Sequence, residues 1–480
     1  MKHPHFLPAC AALGLLTLTG CGGPAGAGAE PPPSAGVPAA RYQPRTDLLA
    51  VKIPDGAPAH WSAPRFPPLR SVRVMPDTPD ADLAADLRKQ FGKTILDPIV
   101  YEQDVWMPAQ ADRLARLLDA HFGSPLVPTV RVPELNDVVA ASFVRFDPAG
   151  GLGANLKDIR KQLGKVKLKE LEEDWRAATA IKAELRLDDA ALARGSVVYR
   201  RWCMQCHGPN GAGDPAYAIE AGPMPRDYRQ GVFKFTTAFA PATAPKKAGL
   251  GASGKPRRDD LKATVRRGID GTMMPAFPGL TEAELDDAVS YVIHLSVRGE
   301  VEFASLARAI KPRGDDPIYE GAEMDWLVVQ NELAVLFNWG VAAHHPIRVP
   351  AEQVRTEKER IDSAVRGFRL YNAPEFGCGS CHANYGRAQQ LKWDAWGTIV
   401  QPRNLTLGVY RGGRQGEDLY ARIYGGIAPS GMTAFHDRVA NAPPGAPDKI
   451  WDIVHFLQAL GDASDRRRMQ ERDPEIKFDP

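Results

Sequence analysis

The sequence predicts a mainly α-helical chain, with two copies of one small helical domain in tandem behind an N-terminal region of mixed or α-rich structure. Three observations predict it. A cysteine motif occurs twice, as "CMQCH" (Cys203, Cys206, His207) and "CGSCH" (Cys378, Cys381, His382). The segments downstream of the motifs align without a gap, "DLKATVRRGIDGTMMPAF" from Asp260 with "DLYARIYGGIAPSGMTAF" from Asp418. Each copy then closes with apolar residues at helical spacing.

The elements follow in chain order. Lys2 precedes "FLPACAALGLLTLTG", an apolar stretch of signal-peptide length that is too short for a stable membrane anchor. It ends in "LTGC", which resembles the lipobox of bacterial lipoproteins, so residues 1–20 are expected to be a signal peptide and Cys21 a lipidation site. Residues 21–45 form a Gly/Ala/Pro tether that cannot build a core. This pattern predicts an exported chain held at the periplasmic side of a bacterial membrane. Residues 46–185 carry no cysteine. There, "DADLAADLRKQFG" and "PAQADRLARLLDAHFGSP" have helical spacing and end near glycine, and "VPELNDVVAASFVRFDPAGGLG" reads as short strands or irregular chain. "IRKQLGKVKLKELEEDWRAATAIKAEL" reads as a charged helix leading into the first copy. The whole region is expected to dock on or cover the rest.

The first copy spans 186–300 and the second 356–465. Gly195 and Tyr199 precede the first motif, and Gly367 and Tyr371 the second, which has three extra residues before its cysteine. A glycine and an aromatic four residues apart share one helix face, where the glycine admits a close helix neighbour. "PRDYRQGVFK" (225–234) matches "PRNLTLGVYR" (402–411). The closing helices are "TEAELDDAVSYVIHLSV", with a capping box from Thr281 and Glu284, and "PDKIWDIVHFLQALG", stopped at Gly461. Their Tyr291 and Phe456 are expected to pack on Gly195 and Gly367. The linker at 301–355 holds "EMDWLVVQNELAVLFNWGVAAHH", which Gln330, Asn331 and Glu332 mark as a buried helix rather than a membrane span. Residues 466–480 form a tail.

Lys and Arg number 60 against 58 Asp and Glu, a net charge of +2, which gives no polybasic surface for nucleic acid. Six cysteines are present; one falls in the signal peptide, one is the lipid site, and four make the two motifs. C-x-x-C-H reads as covalent haem attachment. Two thiols on one helical turn each form a thioether to a haem vinyl group, and the adjacent histidine becomes the proximal iron ligand. A dithiol redox motif would want a thioredoxin-like unit, and zinc a fourth ligand.

Gly-x3-aromatic, C-x-x-C-H, a downstream loop methionine and a terminal amphipathic helix together resemble class I cytochromes c, twice over. The resemblance implies two covalently bound haem c groups with His/Met axial ligation: His207 with Met274, and His382 with Met432. The gapless match favours Met274 over its neighbour Met273, which aligns with Gly431. Met224 and His436 are the other candidates weighed. The departures are a ~19-residue insertion in the first copy, "TTAFAPATAPKKAGLGASGKPRR", and Thr433 in place of proline. His294 and His455 read as packed helix residues, and His344 and His345 as surface. The expected function is electron relay between a quinol-oxidising complex and a terminal oxidase or small soluble cytochrome, without catalysis. The alternative is a dihaem peroxidase or a dehydrogenase of a small sulfur compound.

Overall fold

Pro108 opens helix α1 (Pro108–Phe122) at a position where its missing N–H is no loss. Leu114, Leu118 and Phe122, four residues apart, turn one face into the core, and Gly123 ends the helix with φ +68°. This computed structural model describes residues 108–144, 156–213, 225–239, 254–309, 322–388, 392–393, 399–439 and 446–478. The expected signal peptide, Cys21, the tether, the stretch at 80–92 and Met224 lie outside them.

Helix α2 (Leu135–Val144) occupies the stretch expected to be short strands or irregular. Burial decides this: Val138 and Val139 are fully enclosed, one in the main core and the other against α3 (Leu156–Glu184), so tertiary packing overrides a β-branched preference. Helix α3 is the expected charged helix. Its Trp175 Nε1 donates to the Pro133 carbonyl at 2.8 Å.

The first copy contributes α4 (Asp189–Trp202), the single turn α5 (Met204–His207), α6 (Arg258–Arg267) and α7 (Glu282–Ala309). The capping box of α7 forms as expected, with Glu284 N donating to Thr281 Oγ1 at 3.2 Å and Thr281 N to Glu284 Oε2 at 2.9 Å. The helix runs on through residue 300 to Ala309 and packs against α8 (Ala322–His344). Helix α8 is buried as the sequence implies, with Asn331 and Glu332 at 0% exposure. Glu332 Oε2 meets His121 Nδ1 of α1 at 2.6 Å, and Asn331 Nδ2 donates to Ser305 Oγ of α7 at 3.0 Å. Among the described residues, no helix is long and apolar enough to cross a membrane.

The second copy repeats the plan with α9 (Glu357–Asn372), the turn α10 (Cys378–Cys381), α11 (Gly416–Gly425) and α12 (Lys449–Leu460), then adds α13 (Ala463–Arg472). A two-residue antiparallel pair, Lys392–Trp393 with Ile399–Val400, is the β-sheet of the described residues. The second copy has a core of its own, whereas the first shares a single core with α1, α3 and α8.

In both copies the first helix crosses the closing helix at the expected glycine. A Cβ on Gly195 would overlap the Asp287 carbonyl oxygen and touch Tyr291 Cβ at 3.0 Å. A Cβ on Gly367 would overlap the Asp452 carbonyl oxygen and meet Phe456 Cβ at 2.8 Å. Tyr199 and Tyr291 pair at 5.2 Å between ring centroids, and Tyr371 and Phe456 at 5.3 Å. An ion pair missed in the sequence clamps the same crossing. Arg194 Nε bonds Asp287 Oδ2 at 2.6 Å, and Arg366 Nε bonds Asp452 Oδ2 at 2.9 Å.

Gly195→Ala and Gly367→Ala are each expected to cost about 1–3 kcal/mol through overpacking, measured as a lower midpoint of thermal unfolding. A second expectation concerns His294, fully enclosed beside Tyr291 and Phe122. Burial, with Arg298 adding, pushes its imidazole down to about 3 from 6.5. The unfolded side chain takes up its proton near 6.5 and the folded one only near 3, so acid favours the unfolded chain across that window. Stability should fall as pH drops through this range, and His294→Phe should flatten the fall in a pH series of thermal melts.

Candidate haem sites

Asp188 caps α4, its Oδ1 accepting from Ala191 N at 2.9 Å, and the helix delivers Cys203 at its far end. The next turn brings the motif together. Cys206 N and His207 N both donate to the Cys203 carbonyl, at 3.1 and 2.9 Å. In the second copy the three extra residues form a separate turn, in which Gly377 N donates to Ala373 O at 2.9 Å and Phe376 is buried. His382 N then donates to Cys378 O at 2.9 Å. The four cysteines are half-buried thiols. Burial, with the companion thiol adding, pushes Cys203 up to about 12 and Cys378 up to about 11.

Both motif histidines are held by the same backbone position. His207 Nδ1 lies 3.1 Å from the Arg226 carbonyl, and His382 Nδ1 lies 3.3 Å from the Arg403 carbonyl. A carbonyl only accepts, so Nδ1 carries the proton in each ring and Nε2 keeps its lone pair for a metal. Burial also drives the His207 imidazole down to about 4, so it is neutral at neutral pH. The two carbonyls sit at equivalent places because the following turns match. Asp227 Oδ1 accepts from Arg229 N at 3.0 Å and Asn404 Oδ1 from Thr406 N at 3.1 Å, each capping a short 3-10 turn. One difference separates the sites. The His207 ring stacks on Tyr228 with centroids 4.5 Å apart, and the equivalent residue of the second copy is Leu405.

The methionine turns share one register. Ile269 N donates to Met274 O at 3.1 Å, and Ile427 N donates to Met432 O at 2.9 Å. Phe277 N donates to Val265 O at 3.0 Å and Phe435 N to Ile423 O at 3.1 Å. Gly268 and Gly426 both have φ +69°, and a Cβ on them would press Ala276 N and Ala434 N respectively. Met274 therefore occupies the place of Met432, and both are half-buried, while Met273 is 63% exposed. Of the remaining histidines, His436 Nε2 pairs with Asp437 at 2.8 Å and its ring meets Phe239 at 4.2 Å. His455 is buried, linking Ser363 Oγ at 2.7 Å to Glu352 at 3.0 Å, and His344 is exposed beside Glu184.

Residues 190–292 match the family model described as cytochrome C oxidase, cbb3-type, subunit III. The match supports a c-type cytochrome domain in the first copy. The matched stretch contains Cys203, Cys206, His207 and Met274; the second motif lies beyond it. Such a cytochrome domain implies covalently bound haem c, and electron transfer as its chemistry. A chain of the Kuenenia stuttgartiensis reducing HAO-like protein complex is 21% identical, over 56% of this chain and 96% of that one, with a TM-score of 0.39. That likeness carries no argument about role. No curated protein matches the chain.

Both candidate sites offer donors that fit haem, paired thiols on one turn and an imidazole oriented by a backbone carbonyl. Among the described residues, no three His, Cys, Asp or Glu side chains converge to hold a bare metal ion. Tyr228→Leu gives the first site the residue of the second. Covalent haem per chain should stay constant while the ferric EPR signal of the first haem shifts; an unchanged signal would mean that the ring does not constrain the imidazole.

Proposed function

We propose that the chain is a lipid-anchored dihaem cytochrome c that relays single electrons and carries out no substrate chemistry. The observation that carries this reading is the shared setting of the two histidines, each with Nδ1 on the carbonyl of the arginine in a P-R-[D/N] turn. Haem c, when bound, supplies iron that changes by one electron. Cys203 and Cys206, and likewise Cys378 and Cys381, would hold it as thioethers. His207 with Met274, and His382 with Met432, would ligate the iron. A soft, neutral thioether favours ferrous iron and leaves no position for a substrate.

Lipid on Cys21 would keep the chain at a bacterial membrane, facing the periplasm. The donor is then a quinol-oxidising complex, and the acceptor is a terminal oxidase or a small soluble cytochrome. The matched family, named for an oxidase subunit, is in keeping with an oxidase as acceptor.

A pyridine haemochrome assay should return two haems per chain, and Cys378→Ala with Cys381→Ala should halve it. Met274→Leu and Met432→Leu should each abolish one high-potential wave, whereas Met273→Leu should leave both. A high-spin ferric haem that binds cyanide quickly, or peroxide turnover, would overturn the relay reading in favour of an enzyme. Cys21→Ala should move the protein from the membrane fraction to the soluble one.

A further inference from the structure

The two copies meet along a strip of arginines. Arg267, at the end of α6, pairs with Asp418 of α11 at 3.0 Å. Arg422 is buried and donates to the carbonyls of Arg411, Gly412 and Gly413 at 2.9–3.0 Å, which fixes that loop. Arg411 Nη2 lies 3.5 Å from the Gly271 carbonyl. The guanidinium of Arg403 lies on the same glycine; a Cβ there would come within 2.6 Å of its Nη2. Its Nε donates to the Val409 carbonyl at 3.0 Å, so the side chain is aimed from both ends.

Gly271 is part of the first copy's methionine turn. Thr272 Oγ1 donates to Ile269 O at 2.8 Å and accepts from Met274 N at 3.1 Å, which ties Ile269 to Met274 within the turn. The carbonyl of Arg403, meanwhile, holds His382 of the second copy. One residue thus touches the methionine turn of one site with its side chain and the motif histidine of the other with its backbone. Arg226, its equivalent in the first copy, holds His207 in the same way.

We propose that Arg403 is a positioning residue shared by the two haem sites: its carbonyl orients His382, and its fixed positive charge sits between the sites and raises the potential of both irons. The inference rests on the dihaem reading and adds to it a coupling built into the boundary. A nearby cation disfavours the ferric state, which carries one more positive charge than the ferrous. Among the described residues no carboxylate pairs with Arg403, and the adjoining Arg411 is held below the usual arginine range by burial and by Arg403 itself.

The test is spectroelectrochemistry on the full, haem-loaded chain, with the two waves assigned from Met274→Leu and Met432→Leu. Arg403→Gln keeps the backbone carbonyl and removes the charge. Both reduction equilibria should become about tenfold less favourable, about 59 mV each for one electron. Arg403→Lys keeps the charge and should hold both waves close to those of the unsubstituted chain. Movement of the Met432 wave alone, or of neither wave, would overturn the proposal. If Arg403→Gln fails to retain its haem, Arg403→Lys decides: a wave lowered tenfold despite the retained charge counts against it, and two unshifted waves support it. Haem content of the unsubstituted chain is measured first. A single haem per chain refutes the dihaem reading itself, a result distinct from two haems whose potentials ignore Arg403.

Discussion

A glycine pressed against a backbone carbonyl sets the geometry of each copy. At the crossing of α4 with α7, and of α9 with α12, no side chain separates the two backbones, and the helices lie as close as their main chains permit. Everything downstream of that contact inherits its position. The cysteine turn begins where the first helix ends, so the crossing fixes where the thiols and histidine stand relative to the closing helix. The aromatic one turn along fills the wedge beside the glycine, and a bidentate arginine–aspartate pair locks the rotation. A pair of this kind is strong because two parallel hydrogen bonds leave little freedom in the angle.

The two sites are therefore built by one plan, yet their surroundings differ. Tyr228 lies flat against His207, whereas an aliphatic leucine stands in its place beside His382. The first copy is embedded among α1, α3 and α8, with buried polar contacts such as His121 with Glu332 and Lys255 with Glu300. The second copy stands on its own core. Differences in burial and nearby charge are the levers by which a protein separates the potentials of chemically identical haems.

Much of this was legible in the residues. The gapless repeat placed the methionine turns in register, because an identical run of hydrogen bonds needs equal spacing between Gly268 and Ala276 and between Gly426 and Ala434. The glycine–aromatic pairs were legible for the same reason: helix periodicity puts i and i+4 on one face. What could not be read was whatever depends on distant chain. Helix α2 has a β-branched, apolar sequence that suits a strand, and only its burial against α3 and the core makes it helical. The continuation of α7 past residue 300 depends on α8 being there to cover it. The Arg194–Asp287 pair was missed, although Arg-Gly before each motif and an aspartate four residues ahead of each closing aromatic were a repeated signal.

The sharing of one core by the N-terminal helices, the first copy and α8 bears on the order in which the chain can fold. Domains generally fold as units while synthesis proceeds from the N-terminus. Cys203 emerges early, but the core around α4 and α7 is complete only once α8, ending at His344, has followed. The first motif thus spends the making of some 140 further residues, from Cys203 to His344, in an unfinished domain. The second needs only its own stretch of chain.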